Sequence, residues 1–391
     1  MYKVRTFNQI ALRGLERFPR ARFEVGTEIA DPHAILLRSH PLSESQLSAS
    51  LRAVARAGAG VNNVPVDACT AHGVVVFNTP GANANSVKEL VLGALLMSAR
   101  DVLGGIEFVA GLRDVTDHAE LDRRVEAEKK RFAGQELYGK TLGVVGLGAI
   151  GSLVAEAGLR LGMTVLGYDP AISVEAAWRL PSDVQRMEHL HTLFAKADYV
   201  SLHVPLMDAT RNLVNTESLK TFRAHAVLLN FARQEIVDEA ALADALTQKR
   251  LRGYFSDFPS EKLRGIPSVR ATPHLGASTS EAEENCAVMA ADQLIDFLQN
   301  GNIRNSVNFP NVYLERTEGT RIAVTNQNVP KMLGQVMSLL ANRNINVIDM
   351  INKSRGEVAY NLIDIAAPPS RELVEEVIGI GSVLNVRVFE T

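Results

Sequence analysis

The first ninety residues alternate short apolar runs with polar or helical stretches. Each run is followed by Gly, Asn, Ser or Pro, which is typical of strands that end in loops. A longer apolar stretch with helical character, VKELVLGALLMSAR at 87–100, predicts a buried helix that joins two domains. The rhythm of the whole segment predicts an open α/β sheet. The four predicted strands occupy residues 3–7, 34–37, 54–57 and 74–77.

A second alternation of strands and helices begins at Thr141 and runs to about residue 275, after a charged segment at 112–135 that we expect to face solvent. Its strands are nearly continuous apolar runs, as a parallel sheet covered on both faces requires. They read TLGVVG, TVLGYD, YVSLHV, AVLLNF and YFSD, and the series ends near VRATPH. A long helix is predicted over 279–299, and Asn300-Gly301 ends it.

The last seventy residues show a third pattern, β–α–β–β–α–β, after a polar and aperiodic stretch at 310–320 that we interpret as a linker. At 391 residues the chain is too long for one core. We predict an α/β protein with two doubly wound parallel-sheet domains, Rossmann-like or flavodoxin-like, and a ferredoxin-like βαββαβ domain. The predicted ranges are 1–95 completed by 283–310 for the first domain, 96–282 for the second and 320–391 for the third.

Composition narrows the function classes. The net charge of −3, with 46% hydrophobic and 22% charged residues, describes a globular protein with no electrostatic reason to bind nucleic acid or a membrane. The N-terminus is interrupted by charges and Pro19, so we expect no signal peptide. Cys69 and Cys286 are interpreted as packed thiols of a cytoplasmic protein rather than a disulfide or a nucleophile. No metal site is predicted.

Residues 141–169 carry a dinucleotide-binding fingerprint in its required setting of strand, glycine turn, helix, strand and acid. In the run GLGAIG, Gly146 permits the tight turn, Gly148 lets the backbone approach a pyrophosphate, and Gly151 permits close helix–strand packing. The following helix offers free N–H groups and a positive dipole end to the phosphates. Asp169, at the end of the next strand, suits the ribose hydroxyls and would repel the extra phosphate of NADP. The sequence therefore predicts NAD as the cofactor.

Two further segments place polar side chains directly after predicted strands, where open α/β sheets bind their ligands. Arg233 follows the strand AVLLNF, and His274 follows Pro273 at another strand end. Between them, YFSDFPSEKL contains Asp257 and Glu261.

With these segments the chain resembles the D-2-hydroxyacid dehydrogenase family, and within it the branch that acts on 3-phosphoglycerate. The matching segments, spread from about residue 34 to residue 300, are RAGAGVNNVPVDA, VVVFNTPGAN, KTLGVVGLGAIG, NFARQEIVDE and TPHLGAST. The resemblance implies that the first domain binds substrate and the second binds NAD. It implies an arginine, an acid and a histidine as the catalytic set, which carry over to Arg233, Glu261 and His274.

Two departures from the family pattern bear on this set. One residue is missing between Asp257 and Glu261, so the alternative is that Glu261 is a surface glutamate. Gln234 stands where glycine is usual, and we expect it to perturb the local backbone but not the chemistry. The resemblance implies that Asp257 faces the nicotinamide amide. The implied NAD-binding residues are Thr79, Gly146, Gly148, Ala149, Ile150, Gly151, Asp169, Val204, Phe231, Ala232, Arg233, Asp257, His274, Gly276 and Ala277.

Each catalytic residue has a chemical task. Oxidation of an alcohol by hydride transfer requires removal of the hydroxyl proton, and an imidazole with an ordinary pKa of about 6.5 makes His274 the natural base. A carboxylate such as Glu261 would fix its tautomer and favour the imidazolium. Arg233 offers a fork of donors matched to a carboxylate. The alternatives are an ordinary surface or core histidine and an arginine in a surface ion pair.

For the substrate, the resemblance implies that Arg38 and Ser39 meet a phosphate and that Gly58-Ala59-Gly60 meets the carboxylate. An arginine suits a phosphate, and a glycine turn with exposed N–H groups suits a carboxylate. The alternative is a surface arginine beside an ordinary tight turn. Residues 130–131 (Lys130 and Arg131) could reach the site of a neighbouring subunit.

Residues 321–391 resemble an ACT domain, a module that often pairs its sheets side by side and binds amino acids at the seam. Lys331 replaces the glycine that usually precedes the first helix. Asn326, Asn328 and Asn346 fall where related enzymes bind serine, and an asparagine offers both donor and acceptor. Our hypothesis is feedback inhibition by L-serine. The alternative is a dimerisation module without a ligand.

Taken together, these features predict NAD-dependent oxidation of 3-phospho-D-glycerate to 3-phosphohydroxypyruvate, the entry to serine synthesis. One alternative is a reductase of glyoxylate, hydroxypyruvate or another 2-oxo acid. Another is a non-enzymatic, NAD-sensing corepressor. The protein is expected to be a cytoplasmic homodimer or homotetramer with a small-molecule substrate.

Overall fold

The computed structural model describes residues 1–389 and divides into two compact units. Unit 1 joins Met1–Asn83 to the chain from Ser280 onward, and unit 2 is Ala84–Thr279. Residues 390 and 391 of the predicted third domain lie outside the described residues. No helix within 1–389 is long and apolar enough to cross a membrane.

In chain order the strands are β1 (Tyr2–Thr6), β2 (Phe23–Gly26), β3 (Ala34–Leu37), β4 (Ala53–Arg56), β5 (Val75–Phe77), β6 (Thr141–Val145), β7 (Thr164–Tyr168), β8 (Gln185–Arg186), β9 (Tyr199–Leu202), β10 (Ala226–Asn230), β11 (Leu251–Ser256), β12 (Val269–Ala271), β13 (Thr320–Gln327), β14 (Val347–Arg355), β15 (Val358–Ile365) and β16 (Val383–Phe389). The helices are α1 (Leu12–Leu15), α2 (Val66–Ala71), α3 (Ala84–Ala99), α4 (Val102–Ala110), α5 (His118–Glu128), α6 (Ala149–Arg160), α7 (Val174–Arg179), α8 (Leu190–Lys196), α9 (Thr216–Thr221), α10 (Glu239–Thr247), α11 (Ser280–Asn300), α12 (Met332–Asn342) and α13 (Arg371–Ile378).

Unit 1 contains a five-stranded parallel sheet with the order β2-β1-β3-β4-β5, a doubly wound arrangement as predicted. Its central strand β3 is buried at every position because successive side chains enter different cores. Leu36 packs in the core that contains α11, and Leu37 packs in the core on the other face. Cys69 and Cys286 are free, buried thiols, as predicted. Burial raises the pKa of the Cys69 thiol to about 11.

Unit 2 is a seven-stranded parallel sheet with the order β12-β11-β10-β9-β6-β7-β8. The whole of α3 belongs to this unit, because Val87, Val91 and Leu95 pack in one core with Val144 of β6. The boundaries therefore fall at 83/84 and 279/280 rather than at the predicted 95/96 and 282/283. The unit places the carboxyl ends of its strands at one edge, where a ligand site is expected.

The C-terminal part of unit 1 has the predicted βαββαβ order and forms an antiparallel sheet, β14-β15-β13-β16. We call residues 320–389 the ACT module. Helices α12 and α13 cover one face of its sheet, where Ile322, Val336 and Leu373 share a core. Lys331, in the place of the usual glycine, has φ 75°, so the turn before α12 keeps the left-handed conformation that glycine normally supplies.

The other face of the ACT sheet is buried as well. Ala323, Tyr360 and Leu362 lie in the same core as Phe309 and residues of α11. The predicted linker at 310–320 is wrong, because Val312 and Leu314 are buried in that core. The segment was interpreted as a linker because most of its residues are polar, but its two apolar residues, Val312 and Leu314, pack into the core. The ACT module is thus built into unit 1 rather than attached to it by a free linker.

Candidate active site

The glycine turn between β6 and α6 has the shape its sequence predicts. Gly146 has φ 89°, and a Cβ added there would lie 2.6 Å from the carbonyl oxygen of His203. A Cβ added at Gly151 would lie 1.9 Å from the carbonyl oxygen of Gly146, so only glycine fits. At Gly148, by contrast, an added Cβ meets nothing within 4 Å. The turn is closed toward the sheet and open on the other side, which fits an approaching pyrophosphate.

Asp169 follows β7 and is fixed against this turn. Its Oδ2 accepts a hydrogen bond of 2.8 Å from the N–H of Leu147, and its Oδ1 accepts one of 3.0 Å from Ala171. Each carboxylate oxygen keeps a further lone pair for a ribose hydroxyl. The negative charge disfavours a phosphate at the same place. The residues present therefore fit NAD, which would be held by the glycine turn and Asp169.

Sequence reasoning missed His203, which lies directly after β9 and under the glycine turn. Its Nε2 is 2.8 Å from the Oγ of Ser201, and its Nδ1 is buried with no partner among the described residues. Burial lowers the pKa of His203 to about 3, so the imidazole is neutral at physiological pH. Its place after a strand, beside predicted ligand residues, is a signal that could have identified it.

The loop that carries His274 is held by Asp257, which is 2% exposed. Its Oδ1 accepts hydrogen bonds from the Oγ1 of Thr272 (2.6 Å) and the N–H of Leu275 (2.7 Å), and its Oδ2 accepts one from Gly276 (2.7 Å). The N–H of His274 donates to the carbonyl of Asp257 at 3.0 Å. The Asp257 carboxylate, predicted to face a nicotinamide amide, is thus engaged with the backbone and side chains of the His274 loop.

The His274 side chain is exposed, and its backbone has φ 57°. Its ring contacts the ring of Phe258 edge-on, with centroids 5.2 Å apart. Within residues 1–389, no hydrogen bond or ion pair joins His274 to Glu261, which is also exposed. The pairing of these two residues stays a prediction.

Arg233 follows β10 and is also exposed, with its backbone held from below by Asn230, which is fully buried. The Nδ2 of Asn230 donates to the carbonyl of Arg233 at 2.8 Å, and its Oδ1 accepts from the N–H of Ala232 at 3.2 Å. Gln234 does not have a left-handed backbone, and its side chain donates to Glu239 at 2.8 Å. The local perturbation expected from Gln234 is therefore not observed, because this position does not need a glycine.

The register of the sheet brings the strand ends into line. Asn230 pairs with Ser256, and Ser256 pairs with Ala271. Arg233, Asp257 and the His274 loop therefore leave the same edge of three neighbouring strands. Of the other residues predicted to contact NAD in unit 2, Gly276 is buried and accepts a hydrogen bond from Ser86 at its carbonyl. Val204, Phe231 and Ala232 follow strand ends, Ala149 and Ile150 begin α6, and Ala277 follows Gly276.

In unit 1, the turn at 58–60 (Gly58-Ala59-Gly60) follows β4. The carbonyl of Gly58 accepts from the N–H of Thr79 at 3.0 Å, and that of Ala59 accepts from Asn78 at 2.7 Å. Within residues 1–389 the N–H groups of Ala59 and Gly60 donate to no acceptor, which suits a carboxylate ligand. Arg56, which sequence reasoning missed, runs beneath the turn, since a Cβ at Gly58 would lie 1.9 Å from its Nη1.

Arg38 and Ser39 follow β3 in the same unit. The Nη1 of Arg38 forms an ion pair of 2.8 Å with Glu283 in the first turn of α11, and both side chains are partly exposed. Thr79, predicted to contact NAD, is fully buried in unit 1. In unit 2, Lys130 and Arg131 lie in the exposed short helical turn Lys129–Phe132, where Arg131 pairs with Glu128.

The three predicted effector residues have different surroundings. The Asn326 side chain is only 3% exposed and each of its polar atoms forms a hydrogen bond, so its role as an effector ligand stays a prediction. Its Oδ1 accepts from Asn361 at 2.8 Å, and its Nδ2 donates to the carbonyl of Gln327. Asn328 and Asn346 are exposed.

Comparisons with known proteins agree with this geometry. Residues 108–276 match the family model described as "D-isomer specific 2-hydroxyacid dehydrogenase, NAD binding domain". The D-3-phosphoglycerate dehydrogenase of Haemophilus influenzae is 33% identical over 94% of this chain and 88% of its own length. That of Methanocaldococcus jannaschii is 34% identical over 81% of this chain, which spans only 57% of that relative.

Solved structures give the same result. The NAD⁺-bound 3-phosphoglycerate dehydrogenase of Entamoeba histolytica aligns with a TM-score of 0.61 and 26% identity, over 78% of this chain and 98% of that one. D-mandelate dehydrogenase of Rhodotorula graminis aligns with a TM-score of 0.67 and 25% identity, over 81% and 99%. The chain belongs to the D-isomer specific 2-hydroxyacid dehydrogenase family and contains its NAD-binding domain.

Proposed function

We propose that the chain oxidises 3-phospho-D-glycerate to 3-phosphohydroxypyruvate with NAD, the step that begins L-serine synthesis. The observation that carries this proposal is the common sheet edge of unit 2, where buried Asn230 and Asp257 present exposed Arg233 and His274. The relatives named as D-3-phosphoglycerate dehydrogenases support the choice of substrate.

The side chains divide the work. Bound NAD supplies the hydride acceptor. Arg233 binds the carboxylate of the 2-hydroxy acid through its fork of donors. His274 accepts the hydroxyl proton, and no internal hydrogen bond competes for its ring nitrogens within residues 1–389. We propose Glu261 as the acid that favours the imidazolium, because it lies in the connection between β11 and β12 that also carries Asp257, the residue that holds the His274 loop. In unit 1, we propose that Arg38 and Ser39 bind the phosphate and that the turn at 58–60 binds the carboxylate.

The substrate class is tested by comparing kcat/KM for phosphohydroxypyruvate and hydroxypyruvate with NADH. Each charge-assisted hydrogen bond to the phosphate contributes about 1.5–3 kcal/mol, so we expect the phosphorylated substrate to be preferred by at least tenfold. Arg38→Ala should remove most of this preference. Equal kcat/KM values in the wild-type protein would instead indicate a reductase of unphosphorylated 2-oxo acids.

The catalytic base is tested with His274→Asn, because asparagine tolerates the left-handed backbone at this position but cannot accept the proton. We expect kcat to fall by about 10²–10⁴-fold. NADH binding should be retained, measured as energy transfer from Trp178, the single tryptophan of the chain, which lies in unit 2. His191→Asn, at an exposed histidine, is the matched control. Unchanged turnover in His274→Asn would refute the catalytic assignment.

We further propose that L-serine binds between two copies of the ACT module. Within one chain, Asn328 follows the end of β13, where Gln327 pairs with Val358, whereas β14 begins with Val347 paired with Ile365 at the other end of β15. One chain therefore cannot bring its own Asn328 and Asn346 together. Since β14 is an edge strand, antiparallel pairing with the β14 of a second copy would place Asn346 of one copy at the end of the sheet where Asn328 of the other lies.

This proposal predicts a dimer or tetramer by light scattering and a serine-dependent rise in melting temperature with loss of activity. Asn346→Ala should abolish both serine effects and leave the uninhibited kcat unchanged. Asn342→Ala, at an exposed residue in the last turn of α12, serves as the control. If serine changes neither activity nor melting temperature, the module acts without a ligand.

A further inference from the structure

The loop after β3 carries the proposed phosphate ligands but belongs to no strand or helix. Asn63, which follows the turn at 58–60, fixes its backbone. The Nδ2 of Asn63 donates to the carbonyl of Arg38 at 3.1 Å and to the carbonyl of His40 at 2.8 Å. The carbonyl of Asn63 also accepts from the N–H of Leu42 at 2.9 Å. One residue thus ties three points of the loop to the chain that leaves β4.

A second asparagine holds the same loop from the other side. The Oδ1 of Asn8 accepts hydrogen bonds from the N–H groups of Ser39 (3.1 Å) and His40 (2.7 Å). Asn8 has φ 64°, a left-handed conformation that asparagine tolerates. The ring of Phe7 stacks on that of His40 with centroids 4.2 Å apart. Both the donors and the acceptors of the loop backbone are therefore engaged.

Both the backbone and the guanidinium of Arg38 are held in place. The backbone carbonyl of Arg38 also accepts a hydrogen bond of 3.0 Å from the Nε of Arg56. At its tip, Nη1 pairs with Glu283 through a single contact. A partly exposed pair of this kind contributes little to stability, so its main effect is on orientation. The other edge of the guanidinium has no partner within residues 1–389, which leaves it for a ligand.

The position of Asn63 has a cost. Its Oδ1 is buried and has no hydrogen-bond partner among the described residues, and an unsatisfied buried acceptor destabilises the fold. Rotating the amide would not help, because Oδ1 would then face the carbonyl oxygens of Arg38 and His40. Asn63 therefore provides hydrogen bonds to two carbonyls of the loop while its own amide oxygen is left without a donor.

We propose that Asn63 is a positioning residue that determines the preference for a phosphorylated substrate. Asn63 fixes the backbone of Arg38. The guanidinium can then bind the phosphate with little further loss of conformational entropy, which favours binding. The proposal rests on the proposed function, with Arg38 as the phosphate ligand. An unphosphorylated substrate does not use this anchor and gains nothing from Asn63.

Asn63→Asp tests the proposal, because it keeps the shape of the side chain but replaces the donor with a carboxylate oxygen that repels both carbonyls. We expect KM for phosphohydroxypyruvate to rise about tenfold, with kcat and the KM values for hydroxypyruvate and NADH within twofold of wild type. The control is Asn62→Asp, which adds the same charge at an exposed neighbour. If Asn63→Asp lowers the melting temperature too far for assay, Asn8→Gly loosens the same loop while keeping a left-handed backbone, and the same selective rise is expected.

A double-mutant cycle with Arg38→Ala shows whether Asn63 acts through Arg38. Once Arg38 is absent, Asn63→Asp should raise KM no further. Additive effects, or an equal rise in KM for both substrates, would overturn the proposal and make Asn63 a purely structural residue. Failure of the proposed function would look different, because the wild-type protein itself would then show no preference for the phosphorylated substrate.

Discussion

In three places a buried or half-buried polar side chain holds the backbone of a more exposed residue. Asn230 lies beneath Arg233, Asp257 organises the loop of His274, and Asn63 fixes the backbone of Arg38. In each case the more exposed side chain is the one for which we propose a chemical role, and the supporting residue forms hydrogen bonds with the backbone around it. A reactive group positioned in this way keeps its geometry while its tip remains free to meet a ligand.

The ion pair between Arg321 and Asp364 is structural and nearly inaccessible, with the two side chains 0% and 2% exposed. Arg321 donates to Asp364 through Nε (2.6 Å) and Nη2 (2.8 Å), and to the carbonyls of Asn300, Leu314 and Glu315. Arg321→Met would leave a buried carboxylate unpaired, and we expect the free energy of unfolding to fall by about 3–5 kcal/mol in urea titrations. Adding Asp364→Asn should recover part of the loss by removing the charge. The three carbonyls would still lack their donor.

The same pair has a pH signature. Burial by itself raises the pKa of the Asp364 carboxyl, but hydrogen bonds from Arg321 and Thr317 outweigh it and bring the pKa below its ordinary value. The carboxylate therefore stabilises the wild-type fold above the unfolded pKa of about 3.9, and this contribution is lost as the pH falls through the lower folded pKa. The cost of Arg321→Met should accordingly be larger at pH 7 than near pH 3. A cost that does not change with pH would contradict this account.

At the scale of elements, α11 connects distant parts of unit 1. It begins at Ser280, where the chain enters the unit, and Gly301, with φ 74°, follows its last residue. Arg321 donates to the carbonyl of Asn300, and the Nη2 of Arg387 donates to that of Leu298 at 2.9 Å. Two cations from the ACT module thus satisfy carbonyls at the negative end of the helix.

The helix illustrates what the sequence can and cannot predict. Its bounds were predicted within one residue, because apolar spacing and the Asn300-Gly301 stop are local signals. The arginines that bind its last carbonyls are Arg321 and Arg387, and the sequence around the helix cannot predict them because they lie far along the chain. The same holds for Asn63, whose partners lie more than twenty residues away. Strand-end positions did predict that Arg233 and His274 lie at one edge of the sheet, because the carboxyl ends of parallel strands share an edge.

Two elements, α5 and β2, were not predicted from the sequence for a different reason. The charged segment at 112–135 contains α5, which has no buried residue and therefore no hydrophobic period. Its support is polar instead, since Asp117 caps its first turn and Glu120 pairs with Arg123 and Arg124. The edge strand β2 has only one fully buried residue, Phe23, so it lacks the continuous apolar run that reveals the equally short β3 and β4.

At the scale of the whole molecule, the ACT sheet is buried on two faces. All eight residues of β15 are buried, because alternate side chains enter the core under α12 and α13 or the core shared with α11. A module with one free face could be removed without exposing much apolar surface. Here the hydroxyl of Tyr360 also donates to the carbonyl of Gly301 at 2.8 Å, so polar contacts join the two parts as well.

Removal of residues 316–391 should therefore unfold the rest of unit 1 rather than release it from control. The truncation would expose the apolar face formed by Phe309, Phe297 and Leu294, and would leave the last carbonyls of α11 without their arginines. An apolar patch of this kind favours aggregation.

We expect the truncated chain to lose dehydrogenase activity and to show an early melting transition or precipitation, measured beside the full-length chain. Unit 2 contains both Trp178 and the glycine turn, so energy transfer from Trp178 to NADH should persist in whatever remains soluble. A soluble truncated chain with wild-type kcat and melting temperature would mean that the ACT module is an independent domain after all.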